Sequence, residues 1–239
     1  MAKDQIILID KPLRWTSFDV VKKVKNVLNP PARSGKKTPW LKVGHAGTLD
    51  PLATGLLIVC TGNLTKKISE IQGAEKEYTG TITIGCTTPS YDLETETSEP
   101  VSFAHVTEEL ILETAKKFTG KQFQTPPAHS AVKIGGVRAY SKARNGEVVE
   151  IKPKEIEIKE FEITSISLPH IYIRVVCSKG TYIRTLANDF GTVLGCGAHL
   201  SSLCRTRIGH YFLKDALRME DFISQYGAET NLSEEITSS

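Results

Sequence analysis

The stretch "GLLIVCTG", Gly55 to Gly62, holds five apolar residues in unbroken succession. A strand with one wet face alternates apolar and polar residues, so a short unbroken run bounded by glycine reads as a central, buried strand. Immediately before it stands "VGHAGTLDPLAT", polar and punctuated by glycine. The buried strand anchors this loop and brings Asp50 to its mouth.

The other elements follow from periodicity. "QIILID" reads as a short buried strand entering a turn at "KP". "TSFDVVKKVKNVL" puts Val20, Val21, Val24, Val27 and Leu28 on one helical face, with Thr16 or Ser17 as N-cap. "NLTKKISEIQG" reads as a short helix, and "KEYTGTITIGCTT" alternates as a strand rich in β-branched residues. "VTEELILETAKKFTG" is a helix with Leu110, Ile111 and Phe118 on its apolar side, closed by Gly120 and followed by a loop at "QTPP". "SAVKIGGVRAYSKARNG" reads as a strand, a Gly-Gly turn and a short helix. "EIEIKEFEITSI" and "IYIRVVCSKG" read as an antiparallel pair joined at "SLPH", and "TYIRTLANDFGTVLG" as a helix started at Thr181. "HLSSLCRTRIGHYFL" is a last strand region, before a short helix at "RMEDFISQYG" and a tail. Strands and helices mix without βαβ alternation, so the fold class is α+β around a mostly antiparallel, mixed central sheet.

With 239 residues, 40% hydrophobic and 24% charged, the composition is that of a globular chain and excludes a disordered or fibrous one. The formal net charge of +3 is too small for a polycation, so an anionic partner must be met by a local patch. "PPARSGKKTPWLK" and "KARNGEVVEIKPK" are such patches, and each reads equally as a solvated face. Five cysteines without paired spacing favour neither a disulfide framework nor a metal site. No stretch has the length of a signal peptide's apolar core or of a membrane span. A reducing, cytoplasmic setting is the expectation, with no membrane partner and no metal.

Asp50 alone has two readings. Before proline it is a good turn former; beside His45, Thr48 and the small residues Gly44, Gly47 and Gly55, it is also a carboxylate placed where a ligand's backbone can approach. Tyr78 opens a strand and is either a sheet aromatic or a flat face with a polar tip for a planar substrate. Arg184 lies in the first turn of a helix, where the helix end is already positive, so it wants an anionic partner such as Asp50 or a solvated position.

Six segments together resemble one family. "DKPLRWTSFDVV", "VGHAGTLDPLATGLLIVCTG" with "LTK", "KEYTGTITIG", "QTPPAHSAVKIGGVRAYSKAR", "SKGTYIRTLANDFG" and "AHLSSLCRTRIG" are similar, in that order, to the TruB family of tRNA pseudouridine-55 synthases. The resemblance implies the pseudouridine synthase fold and the isomerisation of uridine 55 in the T loop of tRNA, with no cofactor. It implies that Asp50 is the catalytic aspartate, that Tyr78 stacks on the uracil and that Arg184 pairs with the aspartate. His45 matches the histidine that takes the place of the flipped nucleotide, and Lys11 and Pro12 a supporting Lys-Pro motif. Gly47, Thr48, Leu203, Lys179 and Arg205 complete the expected substrate and RNA contacts. Arg14 stands where relatives have glycine after "KPL", which questions that turn's conformation; Cys204 and Lys154 each replace an arginine.

Many family members add a small RNA-binding PUA domain, whereas about thirty residues follow "RTRIG", fewer than a compact domain needs. The expectation is a catalytic domain over residues 1–212, with a short helix and tail over 213–239. The chemistry extrudes a base, breaks N1–C1′ and forms C5–C1′, and an aspartate suits the positive charge that develops at C1′. Attack at C1′, addition at C6 and action as a base at C2′ all remain open for Asp50. A monomer acting on tRNA without a guide RNA is the expectation; the alternative is a non-catalytic tRNA-binding or folding factor on the same fold.

Overall fold

The structure is a computed structural model and describes residues 4–29, 41–127, 133–134, 137–138 and 151–236. In chain order the elements begin with strand β1 (Ile6–Lys11), helix α1 (Ser17–Leu28), strands β2 (Val43–His45) and β3 (Ala53–Thr61), and a 3₁₀ segment Gly62–Lys67 leading into α2 (Ile68–Gly73). Strand β4 (Lys76–Ile84), helix α3 (Glu108–Lys117) and strands β5 (Gly120–Gln124), β6 (Lys133–Ile134), β7 (Val137–Arg138), β8 (Lys154–Ser167) and β9 (His170–Cys177) follow. The chain closes with helix α4 (Ile183–Val193), strands β10 (Ala198–Ile208), β11 (Tyr211–Phe212) and β12 (Leu217–Arg218), and helix α5 (Met219–Ile236). It divides into two units, Met1–Ala74 with Cys204–Ser239, and Glu75–Leu203. The fold is α+β, with a mixed sheet in which antiparallel pairing dominates and β1 and β12 run parallel.

In the first unit β3 is the strand that the apolar run required. Leu56 to Cys60 are all 0% exposed. Leu57 and Val59 enter a cluster with Ile7, Ile9, Val20, Val24, Met219 and Phe222 on one face, while Leu56, Ile58 and Cys60 join Ala46, Ile71 and Ile208 on the other. Each leucine, isoleucine, valine, methionine or phenylalanine among them stabilises the fold by about 1.5–3 kcal/mol relative to exposure. Strand β1 pairs antiparallel along β3, from Ile6 opposite Cys60 to Lys11 opposite Gly55, and β2 pairs with the far end of β3.

Thr16 is the N-cap of α1, and a capping box joins it to Asp19. The Asp19 carboxylate accepts from the Thr16 amide and hydroxyl, which holds its pKa below the ordinary value. The last helix, α5, runs to Ile236 through what the sequence reads as tail. No proline or paired glycine breaks that stretch.

In the second unit β4 pairs with β9, β9 with β8, and β8 with β5, all antiparallel. Phe118 at the end of α3, Phe161 of β8 and Phe190 of α4 pack ring against ring with centroids 5.5–6.4 Å apart. Gly120 does close the segment after α3, yet it also opens β5, so the chain passes directly into a strand ending at Gln124. The paired β6 and β7 flank the Gly-Gly position. The short helix read after them, the basic loop with Lys36 and Lys37, and most of the second basic patch lie outside the described residues.

Helix α4 begins at Ile183 with Tyr182 as N-cap, two residues later than a Thr181 start. The Thr181 hydroxyl donates back to the Ser178 carbonyl at 3.0 Å and so belongs to the turn before the helix. The missing local cap is replaced by Gln124 of β5. Its side-chain oxygen accepts from the Tyr182 amide at 2.8 Å, and its side-chain nitrogen donates to the Tyr182 carbonyl at 3.0 Å.

Candidate active site

In the first unit the turn between β2 and β3 is held almost wholly through its backbone. The Ala46 amide donates to the Ile58 carbonyl at 2.8 Å. The buried Ser17 hydroxyl donates to the Leu49 carbonyl at 3.1 Å and accepts from the Leu49 amide at 2.9 Å. After Asp50, the Pro51 carbonyl accepts from the Arg14 amide at 2.7 Å and from the Lys11 ammonium at 3.4 Å. Asp50 itself is half-buried, with its backbone carbonyl bonded to the Ala53 amide.

Lys11 is fully buried and also donates to the Pro12 and Trp15 carbonyls, at 2.9 and 2.6 Å. Burial pulls its pKa down to about 8; the Asp50 carboxylate opposes that shift, and the Arg205 charge adds to it. An ammonium group so close to losing its proton makes the positive charge beside Asp50 sensitive to pH.

Arg205, counted above with the RNA contacts, is 1% exposed. Its guanidinium donates to the Leu56 carbonyl at 2.8 Å, the Thr48 carbonyl at 3.2 Å and the Gly47 carbonyl at 3.1 Å. A guanidinium fixed on three carbonyls is a brace for the Asp50 turn, and in this arrangement it is not offered to phosphate. Gly55 makes the brace possible. A Cβ there would lie 2.4 Å from the Arg205 carbonyl oxygen, and the φ of +100° suits glycine alone.

His45 ends β2 opposite Val59. Burial lowers the pKa of its imidazole, a hydrogen bond with the Gly47 backbone opposes this, and the Arg205 charge lowers it again. A neutral ring with a flat face is thereby favoured. Thr48 is exposed at the tip of the turn. Arg14 answers the question raised by its replacing glycine, because the turn keeps a left-handed conformation with φ at +67° in a residue that pays for it by about 1 kcal/mol or more.

The first unit thus brings Lys11, Pro12, His45, Gly47, Thr48, Asp50 and Arg205 together around one turn. Tyr78, Lys179, Arg184 and Leu203 belong to the second unit. Tyr78 lies on β4 opposite Val175 and is 9% exposed. Two residues on, and on the same face, a Cβ at Gly80 would lie 3.4 Å from a Leu203 methyl. Lys179 is exposed in the turn before α4.

Arg184 is 4% exposed, and its guanidinium lies 3.5 Å from an Asp92 carboxylate oxygen and 3.3 Å from the Ser90 carbonyl. Asp92 is a residue that the sequence did not single out. Its carbonyl accepts from the Thr88 and Ser90 hydroxyls and its carboxylate from the Glu94 amide, while the Tyr91 carbonyl accepts from Leu200 of β10. The signal was an aspartate among serines and threonines, which reads as an ordinary turn.

No group of three histidine, cysteine or acidic side chains is arranged to hold a metal ion among the described residues. No helix there is long and apolar enough to cross a membrane.

This α+β architecture is that of the pseudouridine synthases. It matches a solved H/ACA ribonucleoprotein bound to a substrate RNA containing 2′-deoxyuridine, with a TM-score of 0.67, 26% identity, and 92% of this chain and 53% of that one covered. A Cbf5-Nop10-Gar1 complex gives the same TM-score at 28% identity, with 92% and 54% covered. The chain spans about half the length of these two solved chains. Residues 34–183 match the model of the TruB family pseudouridylate synthase N-terminal domain, and residues 184–237 that of the tRNA pseudouridylate synthase B C-terminal domain. The chain belongs to the TruB family. It is 57% identical over 213 residues to tRNA pseudouridine synthase B of Flavobacterium johnsoniae, covering 89% of this chain and 92% of that protein. It is 51% identical over 218 residues to the protein of the same name from Phocaeicola vulgatus, with 91% of each chain covered.

Proposed function

We propose that this chain is a tRNA pseudouridine synthase that isomerises uridine 55 in the T loop. The observation that carries the reading is the half-buried Asp50 in a turn whose carbonyls are fixed by Lys11, Ser17 and Arg205. A carboxylate so held can face a developing charge without reorganising. Relatives named tRNA pseudouridine synthase B, alike over about nine-tenths of their length, support the same reading.

The reaction breaks N1–C1′, turns the uracil, forms C5–C1′, loses the proton from C5 and places a proton on N1, so atoms and electrons balance without a cofactor. In this reading Asp50 meets the positive charge at C1′, and Arg184 supplies a cation that favours an ionised carboxylate for the reaction. Tyr78 stacks on the extruded uracil and His45 occupies the space that the nucleotide leaves. Stacking of this kind returns roughly 1–3 kcal/mol per ring, which offsets much of the cost of unstacking the base. Leu203 lines the pocket and Lys179 meets phosphate. The catalytic domain spans residues 1–212, and the protein acts as a cytoplasmic monomer without guide RNA.

The test uses a tRNA transcript tritiated at C5 of uridine, with no guide RNA. The wild-type chain should release tritium from one site and leave pseudouridine at position 55, and Asp50→Asn should abolish release while still binding tRNA. Release that persists in Asp50→Asn removes Asp50 from the chemistry. Binding by the wild type without release leaves a tRNA-binding factor.

A further inference from the structure

Arg14 combines three properties rarely found in one residue. It holds the left-handed conformation, with φ at +67°, that favours glycine; its side chain is exposed; and its amide bonds the carbonyl of Pro51, the residue after Asp50. Strain in a non-glycine residue persists where the side chain is of use, and here the fold itself asks only for the amide. The guanidinium makes no ion pair among the described residues.

Its surroundings resemble an RNA surface. Leu13 is 53% exposed and Phe18 69% exposed. Phe18 and the exposed Lys22 are one turn apart on the same side of α1, while Val20, Val21 and Val24 face the core. The anion of this stretch, Asp19, accepts from the Thr16 amide and hydroxyl in the capping box. A cation, an aromatic ring and a second cation are therefore exposed on the segment that the Arg14 amide joins to the Asp50 turn.

We propose that Arg14, Phe18 and Lys22 form a docking strip for the substrate RNA, with the Arg14 guanidinium on a backbone phosphate next to the target nucleotide and the Phe18 ring against an unpaired base or its ribose. The proposal rests on the tRNA synthase reading and adds to it a contact on this chain's own departure from glycine. Arginine suits phosphate through its paired donors, and an exposed aromatic ring suits any base because every base has a flat face.

The experiment measures binding of fluorescent tRNA to the full chain between about 50 and 200 mM salt, together with thermal unfolding. Arg14→Gly relieves the strained conformation, so its melting temperature should equal or exceed the wild-type value. Its Kd should rise about tenfold at the low end of salt, and the slope of log Kd against log salt should fall by about 0.7–0.9, the loss of one phosphate contact. Arg14→Lys should keep that slope, and Phe18→Ala should weaken binding several-fold with the slope retained. An Arg14→Gly protein with wild-type Kd and slope overturns the proposal, as does weak binding accompanied by a lower melting temperature, since the arginine then serves the fold. Tritium release is scored separately. Binding through Arg14 without release leaves the strip standing and removes the synthase reading, whereas release by the wild type with Arg14→Gly binding unaltered removes the strip alone. A wild-type chain that does not bind tRNA overturns both.

Discussion

Lys11 gives the protein a pH dependence that an exposed lysine would not. Burial lowers its pKa to about 8 from an ordinary value of 10.5, so between those values the unfolded chain binds more protons than the folded one. Stability therefore rises with pH across that window, and below it the penalty for keeping the ammonium group charged is fully present. The gap between 10.5 and about 8 corresponds to about 3.4 kcal/mol at 1.36 kcal/mol per pH unit. Integrated between about pH 7 and pH 9, the gain is about 1.3 kcal/mol. Cys60, Cys177, Cys196 and Cys204 have thiols pushed above 9.0 by burial. They bind more protons when folded and lower stability as pH rises past about 9, so the measurement belongs below that point.

The assay is urea unfolding followed by tryptophan fluorescence at intervals from pH 7 to pH 9, for the wild type and Lys11→Met. The wild type should gain about 1.3 kcal/mol relative to the variant over that range. Lys11→Met also strips a donor from the Pro12, Trp15 and Pro51 carbonyls. The Pro51 carbonyl keeps the Arg14 amide and the Pro12 carbonyl the Trp15 amide, so the loss falls on the Trp15 carbonyl, about 1–3 kcal/mol, and removal of the buried charge offsets it; the variant should then fall steadily behind the wild type from pH 7 to pH 9. A difference between the two proteins that stays flat from pH 7 to pH 9 would refute the assignment of a depressed pKa to Lys11.

Asp92→Ala removes the carboxylate 3.5 Å from the buried Arg184 guanidinium, and with it the acceptor of the Glu94 amide, and should cost about 3 kcal/mol, read as a fall of roughly 6–12 °C in Tm; a Tm within a degree of wild type would mean that the Asp92 carboxylate is immaterial to the fold. Gly55→Ala forces a Cβ to 2.4 Å from a backbone oxygen at a φ of +100° and should lower stability by about 3 kcal/mol or more, measured by denaturant unfolding. Unfolding at the wild-type midpoint would show that β10 can give way there.

Elements whose pattern is local were legible. Strand β3 followed from five apolar residues in a row, α1 from valine spacing and the Thr16 cap, and the pair β8 and β9 from alternation about a proline turn. What was not legible depends on partners remote in sequence. Helix α4 lacks a capping side chain of its own and starts where Gln124 supplies one, so a local search for serine or threonine stopped at Thr181. Arg205 sits in "CRTRIG" beside another arginine, and nothing in that string tells which one turns inward onto carbonyls. Asp92 was hidden for the same reason, since only the fold sets it beside Arg184. At the site, Lys11, Pro12, His45, Gly47, Thr48, Asp50 and Arg205 were named beforehand, the correction falls on the part that Arg205 plays, and Ser17, read only as a possible helix cap, proves to grip Leu49.

The brace around that turn has a bearing on how the site can change. Lys11, Ser17 and Arg205 grip carbonyl oxygens and an amide, groups that nearly every amino acid supplies alike. At the positions the loop turns outward, its shape is therefore little tied to the identity of the side chain. Replacement of His45 or Thr48 alters what the loop presents to a substrate while leaving the path of its backbone intact. New specificities are thus accessible to this scaffold by single substitutions within the turn, whereas a change in any of the three gripping residues moves every group in it at once.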